Sequence, residues 1–218
     1  MRMIMSSAMF SEWLDLACGA FLLTAAATLW RHNLVAIVRL TAAQAVTLAV
    51  AAVLIGIHDG NGGMFGVAAV IGVLNGVLLP ATLRRVVREQ PSPAALPLIN
   101  VAASMVAAVL LTLLSYAVSR PVIGSAPTET AAVIPLALAV VFVGFFAVIT
   151  RRPAIAQTVG FLSMVNGVMA TALLTTGSAT IVTMTMSLDL LLWVWVRTMD
   201  DRVEFDGTDP DTLRQLHD

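Results

Sequence analysis

The chain has 218 residues, of which 59% are hydrophobic and only 11% are charged. Soluble domains carry about a quarter charged residues, so this composition belongs to integral membrane proteins. A formal net charge of −1 at pH 7 offers no basic surface for nucleic acid, and a single cysteine, Cys18, excludes a disulfide, an iron–sulfur set or a zinc set built within this chain.

Stretches long enough to cross a bilayer, about 20 apolar residues each, are predicted in chain order at Met9–Trp30, Leu34–Ile57, Met64–Leu83, Leu96–Val118, Thr130–Thr150, Ala154–Thr176 and Ala179–Val196. Glu12 and Asp15 precede the apolar centre of the first stretch and Arg31 closes it. That charge order suits a retained span rather than a cleaved signal peptide. The run from His58 to Gly63 reads as a turn, Gln90-Pro91-Ser92-Pro93 as a stiff loop and Arg120-Pro121 as a second turn. Gly177 and Ser178 are all that separates the sixth and seventh stretches, which predicts a tight turn there.

All twelve Lys+Arg positions are arginine, and Arg31, Arg84, Arg85, Arg88, Arg151, Arg152, Arg197 and Arg202 fall at alternate loops on one side. The positive-inside rule then predicts an N-terminus outside and a C-terminus inside, which an odd number of spans requires. The expected fold is an all-α polytopic membrane helix bundle of about seven transmembrane helices. Residues 1–198 form the transmembrane domain, and 199–218 form an acidic, weakly ordered cytoplasmic tail. Trp30, Trp193 and Trp195 sit near the inner boundary, where indoles anchor to headgroups.

Asp189 is the most expensive residue in this scheme, because a carboxylate deep in a lipid-spanning segment needs protein, water or an opposite charge beside it. At about 1.5 Å of rise per residue, Arg39, Asn75 and Asp189 are expected at one level, counted from Arg31, Arg84 and Arg197. Arg39 either pairs with Asp189 or extends its long stem to the headgroups. Gln44 and Asn166 are expected at a second level, nearer the outside, as amides that bond between helices. Gln157, at the start of the sixth stretch, is read the same way. Gly72 and Gly76 form a GxxxG pattern around Asn75, and Pro80 is expected to kink the helix one turn later. No catalytic constellation and no nucleotide fingerprint is present in the sequence, and His32, His58 and His217 are too scattered to predict a metal site.

Four local sequences resemble the component E family of hydrogenase-4. Arg39-Leu40-Thr41-Ala42-Ala43-Gln44 resembles an RLYxxQ stretch in that family's second helix. Asn75-Gly76-Val77-Leu78-Leu79-Pro80 is similar to its K-x4-P, and Gln157–Gly167 is similar to its QxxGFLxxENG. Asp189 falls where the family carries an aspartate in its last helix. The resemblance runs from about Arg31 to Arg197 and keeps the order of the motifs. It departs at two positions, with Asn75 in place of the lysine and Val165 in place of the glutamate.

The resemblance implies a subunit of the membrane arm of a hydrogenase-like oxidoreductase complex related to respiratory complex I and to Mrp antiporters. The implied partners are antiporter-like and other membrane subunits and the lipid bilayer. No cofactor is implied for the chain, because redox chemistry in such assemblies sits on peripheral subunits. The implied location is the inner (cytoplasmic) membrane, as a multi-pass protein. Losing one lysine and one glutamate together keeps buried charge balanced, which points to structural coupling with at most a local proton stop at Asp189. The rival expectations are a self-sufficient small permease or ion channel, and a pure membrane scaffold. No convincing inverted repeat and no pair of broken helices supports the permease.

Overall fold

A computed structural model describes residues 7–88, 100–125, 128–152, 154–176 and 194. Among them lie six helical rods long and apolar enough to cross a membrane. The seventh predicted stretch, Ala179–Val196, lies outside the described residues except for Val194, as do Gln90–Pro93, Trp193, Trp195 and the acidic tail.

The first rod is α1, Ser7–Trp30, and the second is α2, Leu34–Asp59. Asn33 starts α2 by accepting the Val35 backbone N–H on its side-chain oxygen at 2.9 Å, which satisfies one of the open donors of a helix N-terminus. Gly60 ends it in the left-handed conformation, φ 65°, with its N–H returned to the Gly56 carbonyl. A side chain at that φ is strained, which is why a glycine stands there.

The third rod contains α3 (Gly63–Val73), a π-helical turn (Leu74–Leu78) and α4 (Leu79–Arg88). Pro80 accounts for the π turn. It has no N–H to give to Gly76, and the preceding N–H, that of Leu79, goes back five residues to the Leu74 carbonyl. The sequence marks Pro80 as a point of irregularity, and the helix absorbs the missing donor there by inserting one residue. The rod also runs past the predicted end at Leu83 to Arg88. Leu83, Val86 and Val87 are buried there while Arg85 and Arg88 lie in the last turn, where cations favour the negative end of a helix.

The fourth rod, α5, Val101–Ser125, continues through Pro121. The predicted turn at Arg120-Pro121 is therefore replaced by helix. One proline removes a single backbone bond, and membrane helices tolerate that loss where neighbouring groups re-satisfy the freed carbonyl. A 3-10 turn, Ala131–Val133, leads into α6, Ile134–Thr150, and α7 spans Ala154–Thr176.

The helices α6 and α7 form the closest pair in the bundle, and α1 packs on both α2 and α6. At one edge α5 leans on α6 and α1; at the other, α3 and α4 lean on α2. Two apolar clusters divide the interior. One holds Phe10, Phe21, Ile55, Ile71, Val140 and Met169. The other holds Leu34, Val38, Leu83, Val87, Ile155 and Leu162. The second brings the start of α2, the end of α4 and the start of α7 to one end of the bundle, so Arg31, Arg88 and Arg152 share that end. Asp59 and Glu129 line a cavity of about 560 Å³ that also touches Thr176, the last residue of α7; this is the opposite end.

Candidate functional site

Between the two apolar clusters, at the middle of the membrane-crossing length, two buried pairs of polar side chains share one face of α7. Gln44 on α2 donates its amide N–H to Ser163 Oγ on α7 at 3.0 Å. Asn75 in the π turn donates to Asn166 Oδ1 on α7 at 3.0 Å. Gln44, Asn75 and Asn166 have no exposed surface, and Ser163 is 2% exposed. Ser163 and Asn166 are three residues apart and so share one face of α7. The junction thus ties three helices through a single side of the last one.

None of these four side chains titrates. The junction can orient helices and hold hydrogen-bonding groups away from lipid, but it does not gain or lose a proton near neutral pH. Its chemistry is positional.

Asn75 therefore belongs with Gln44 and Asn166 rather than with the level of Arg39. Arg84 looks like the helix boundary in the sequence, but the helix ends at Arg88. Thirteen residues at about 1.5 Å each put Asn75 about 20 Å from that end, level with its partner. The π turn contributes as well, since one inserted residue turns the helix by about 100° and re-aims every side chain beyond it.

Arg39 is exposed and hydrogen-bonds no described residue. Gln44 faces α7, and five residues rotate a helix by about 140° net, so Arg39 points to the far side of α2. Asp189 lies outside the described residues. Gln157 donates to the Arg151 backbone carbonyl at 2.9 Å. It holds the short turn between α6 and α7 and takes no part in the junction.

The sequence reading missed two features. Ser163 was legible in principle, one turn before Asn166 on the same face. Arg151 was not, because it looks like any other loop arginine. Its side chain is 4% exposed and reaches the end of α1. Nη1 donates to the Arg31 carbonyl at 3.0 Å, and Nη2 donates to the Thr28 and Leu29 carbonyls at 2.8 and 3.0 Å. These are open carbonyls of a helix C-terminus, and α1 has no basic residue in its own last turn. The guanidinium satisfies them and sits at the negative end of the helix dipole. Burial pulls its pKa below the usual arginine range, which costs some of this gain.

The GxxxG glycines do not make the tightest contact. A Cβ on Gly72 or Gly76 would meet α2 side chains at ordinary distances of 4.0 and 3.8 Å. The close seam is between α6 and α7, where a Cβ on Gly144 would lie 2.5 Å from the Met164 nitrogen.

Replacing Asn75 and Asn166 by alanine, singly and together, is expected to reveal a coupling of about 0.6–2 kcal/mol in unfolding from detergent. In a Pro80→Ala background, where the α-helical bond from residue 80 to Gly76 can re-form, the same cycle is expected to shrink towards zero. An unchanged coupling would separate the π turn from the aim of Asn75.

The fold and this junction define a polytopic α-helical membrane protein whose spans are joined by buried amides. The chain belongs to the family of the uncharacterized protein Rv0085 of Mycobacterium tuberculosis (strain ATCC 25618 / H37Rv). It is 38% identical to that protein over 220 residues, which cover 98% of this chain and the whole of that one. No family model matches the chain, and no solved structure matches it.

Proposed function

We propose that the chain is a non-catalytic membrane subunit of a hydrogenase-4-like oxidoreductase complex, where it helps hold the membrane arm together. One observation carries the reading. The three segments resembling component E, Arg39–Gln44, Asn75–Pro80 and Gln157–Gly167, are far apart in the chain. Each supplies at least one member of the buried junction: Gln44, Asn75, and Ser163 with Asn166. Buried amides seek partners in any membrane bundle; that these three segments supply the partners to one another is what supports the resemblance.

The junction also supports a reduced part in ion coupling. Asn75 and Val165 are both buried and sit on the two helices that the Asn75–Asn166 bond joins. A lysine and a glutamate lost there together leave no unpaired charge behind. The role that remains is mechanical, with proton or sodium movement carried by partner subunits and any titration confined to Asp189.

In this reading the chain crosses the membrane seven times, with the Arg31 and Arg151 loops facing the cytoplasm and the Asp59 turn outside. The Arg151–Arg31 contact supports it, because it gathers the predicted inner loops at one end.

The test is purification of the tagged full chain from its native membranes in mild detergent. Co-elution with a large antiporter-like subunit and a nickel–iron-type subunit is expected. Recovery as a homo-oligomer that transports an ion by itself after reconstitution would overturn the proposal.

A further inference from the structure

From the outward face of α2 we infer a docking site for one transmembrane helix of a partner subunit, which carries an Asp or Glu opposite Arg39. The inference rests on the assembly reading above. Arg39, Ala43, Val46 and Val50 are all exposed, and their spacing of three and four residues places them on one stripe. Val46 and Val50 line an apolar groove of about 460 Å³ whose other wall is Phe65, Ala69 and Gly72 of α3. The small residues let a neighbouring backbone come close, as helices do in membranes.

The extent of the stripe selects the occupant. From Arg39 to Leu54, at the far end of the groove, is about 22 Å along the axis. One leaflet of hydrocarbon is about 15 Å thick, half of a ~30 Å core. Arg39 lies towards the arginine-rich end, whereas the groove lies in the other half. A single acyl chain from either leaflet does not cover both, but a membrane-spanning helix does. An arginine facing outward in an apolar stripe is costly unless its head reaches the headgroups or something opposes its charge, and a helix laid over the stripe closes the first route. A carboxylate on the docked helix supplies that charge, whereas an all-apolar helix would leave it buried and unpaired. The rest of this chain supplies no such helix among the described residues, whose four acids, Glu12, Asp15, Asp59 and Glu129, all lie towards the other end of the bundle.

The test places a photo-crosslinking benzoylphenylalanine at Val50 or Phe65 of the tagged full chain in native membranes, with Leu110 on the outward face of α5 as the control. Val50 and Phe65 are expected to give one shared adduct that Leu110 does not give. Mass spectrometry of that adduct should identify a transmembrane segment of another polypeptide, with an acidic residue in the half nearer the arginine-rich end. Arg39→Glu should lower the adduct yield at least tenfold, while Arg39→Lys, at equal membrane abundance, should keep most of it. Reversing the charge of the identified acid should restore the Arg39→Glu adduct. Lipid adducts alone, an adduct with a second copy, an adduct with this chain's own segment around Asp189, or indifference to Arg39→Glu would each overturn the inference. The two readings fail separately. An acidic partner helix from outside a hydrogenase-like complex keeps the docking site and removes the assembly reading. Co-purification of such a complex without the groove adduct does the reverse.

Discussion

Arg151→Ala is expected to lower the melting temperature of the detergent-solubilised chain by about 6–12 °C. The loss comes from the three charge-assisted bonds that the guanidinium donates to the end of α1. Bonds to charged groups contribute about 1.5–3 kcal/mol each in isolation, but three from one side chain are not additive. A combined loss of about 3 kcal/mol is reasonable, and for a chain of this size each kcal/mol moves the midpoint by about 2–4 °C. The carbonyls of Thr28, Leu29 and Arg31 also lose their partner, and Thr28 is itself buried, so water does not fully replace what is removed. Arg151→Lys should recover at most about a third, because an ammonium keeps the charge–dipole attraction of about 0.3–1 kcal/mol but lacks the planar fork. Arg152 is exposed, and Arg152→Ala should change the midpoint by less than about 2 °C. Equal losses from the two alanine substitutions would show that the Arg151 contacts contribute nothing specific.

Gly144→Ala is expected to be at least as damaging, for an unrelated reason. The added methyl would lie 2.5 Å from the Met164 nitrogen, 2.8 Å from its Cα and 3.0 Å from the Gly160 carbonyl oxygen. All three neighbours are backbone, so no side chain can rotate aside. The two helices must separate, and their shared packing, which drives association where lipid removes the hydrophobic term, is lost along the seam. Overpacking of this kind costs about 1–3 kcal/mol and occasionally more, and the backbone clash places Gly144 at the upper end. Gly19→Ala and Gly66→Ala are the controls, since a Cβ at either meets nothing within 4 Å. Both should be neutral or stabilising, because alanine is the better helix former by about 0.8–1 kcal/mol. Thermal unfolding of the three variants in one detergent separates the effects. A Gly144→Ala protein that melts with or above the controls would remove the close-approach account.

These two sites differ in how visible they were before the structure. Hydropathy by itself located six rods to within a few residues at most of their ends, because a bilayer demands about 20 apolar residues per crossing whatever the tertiary contacts. It misplaced two helix limits. At Pro121 and at Arg84 the local signal for a break was real, but a single missing bond or a run of arginines does not end a helix whose other residues still form one. Gln44, Asn75 and Asn166 were legible as buried groups needing partners, whereas Gln157, read the same way, is exposed and bonds the Arg151 carbonyl. Which partner each takes was not, because that depends on where α4 stops and on the residue inserted before Pro80.

The sequence alone established a membrane-spanning all-helical chain, the arginine-rich loops that sit at one end, and the short set of polar residues that lipid would not tolerate unpaired. Those follow from composition and length, which act on each segment separately. Tertiary structure decided that Gln44 meets Ser163 and Asn75 meets Asn166, that Arg151 closes α1, and that Arg39 faces away from all of them. Those depend on rotation about each helix axis, where one residue is about 100°; no one-dimensional pattern carries that angle between helices until they pack.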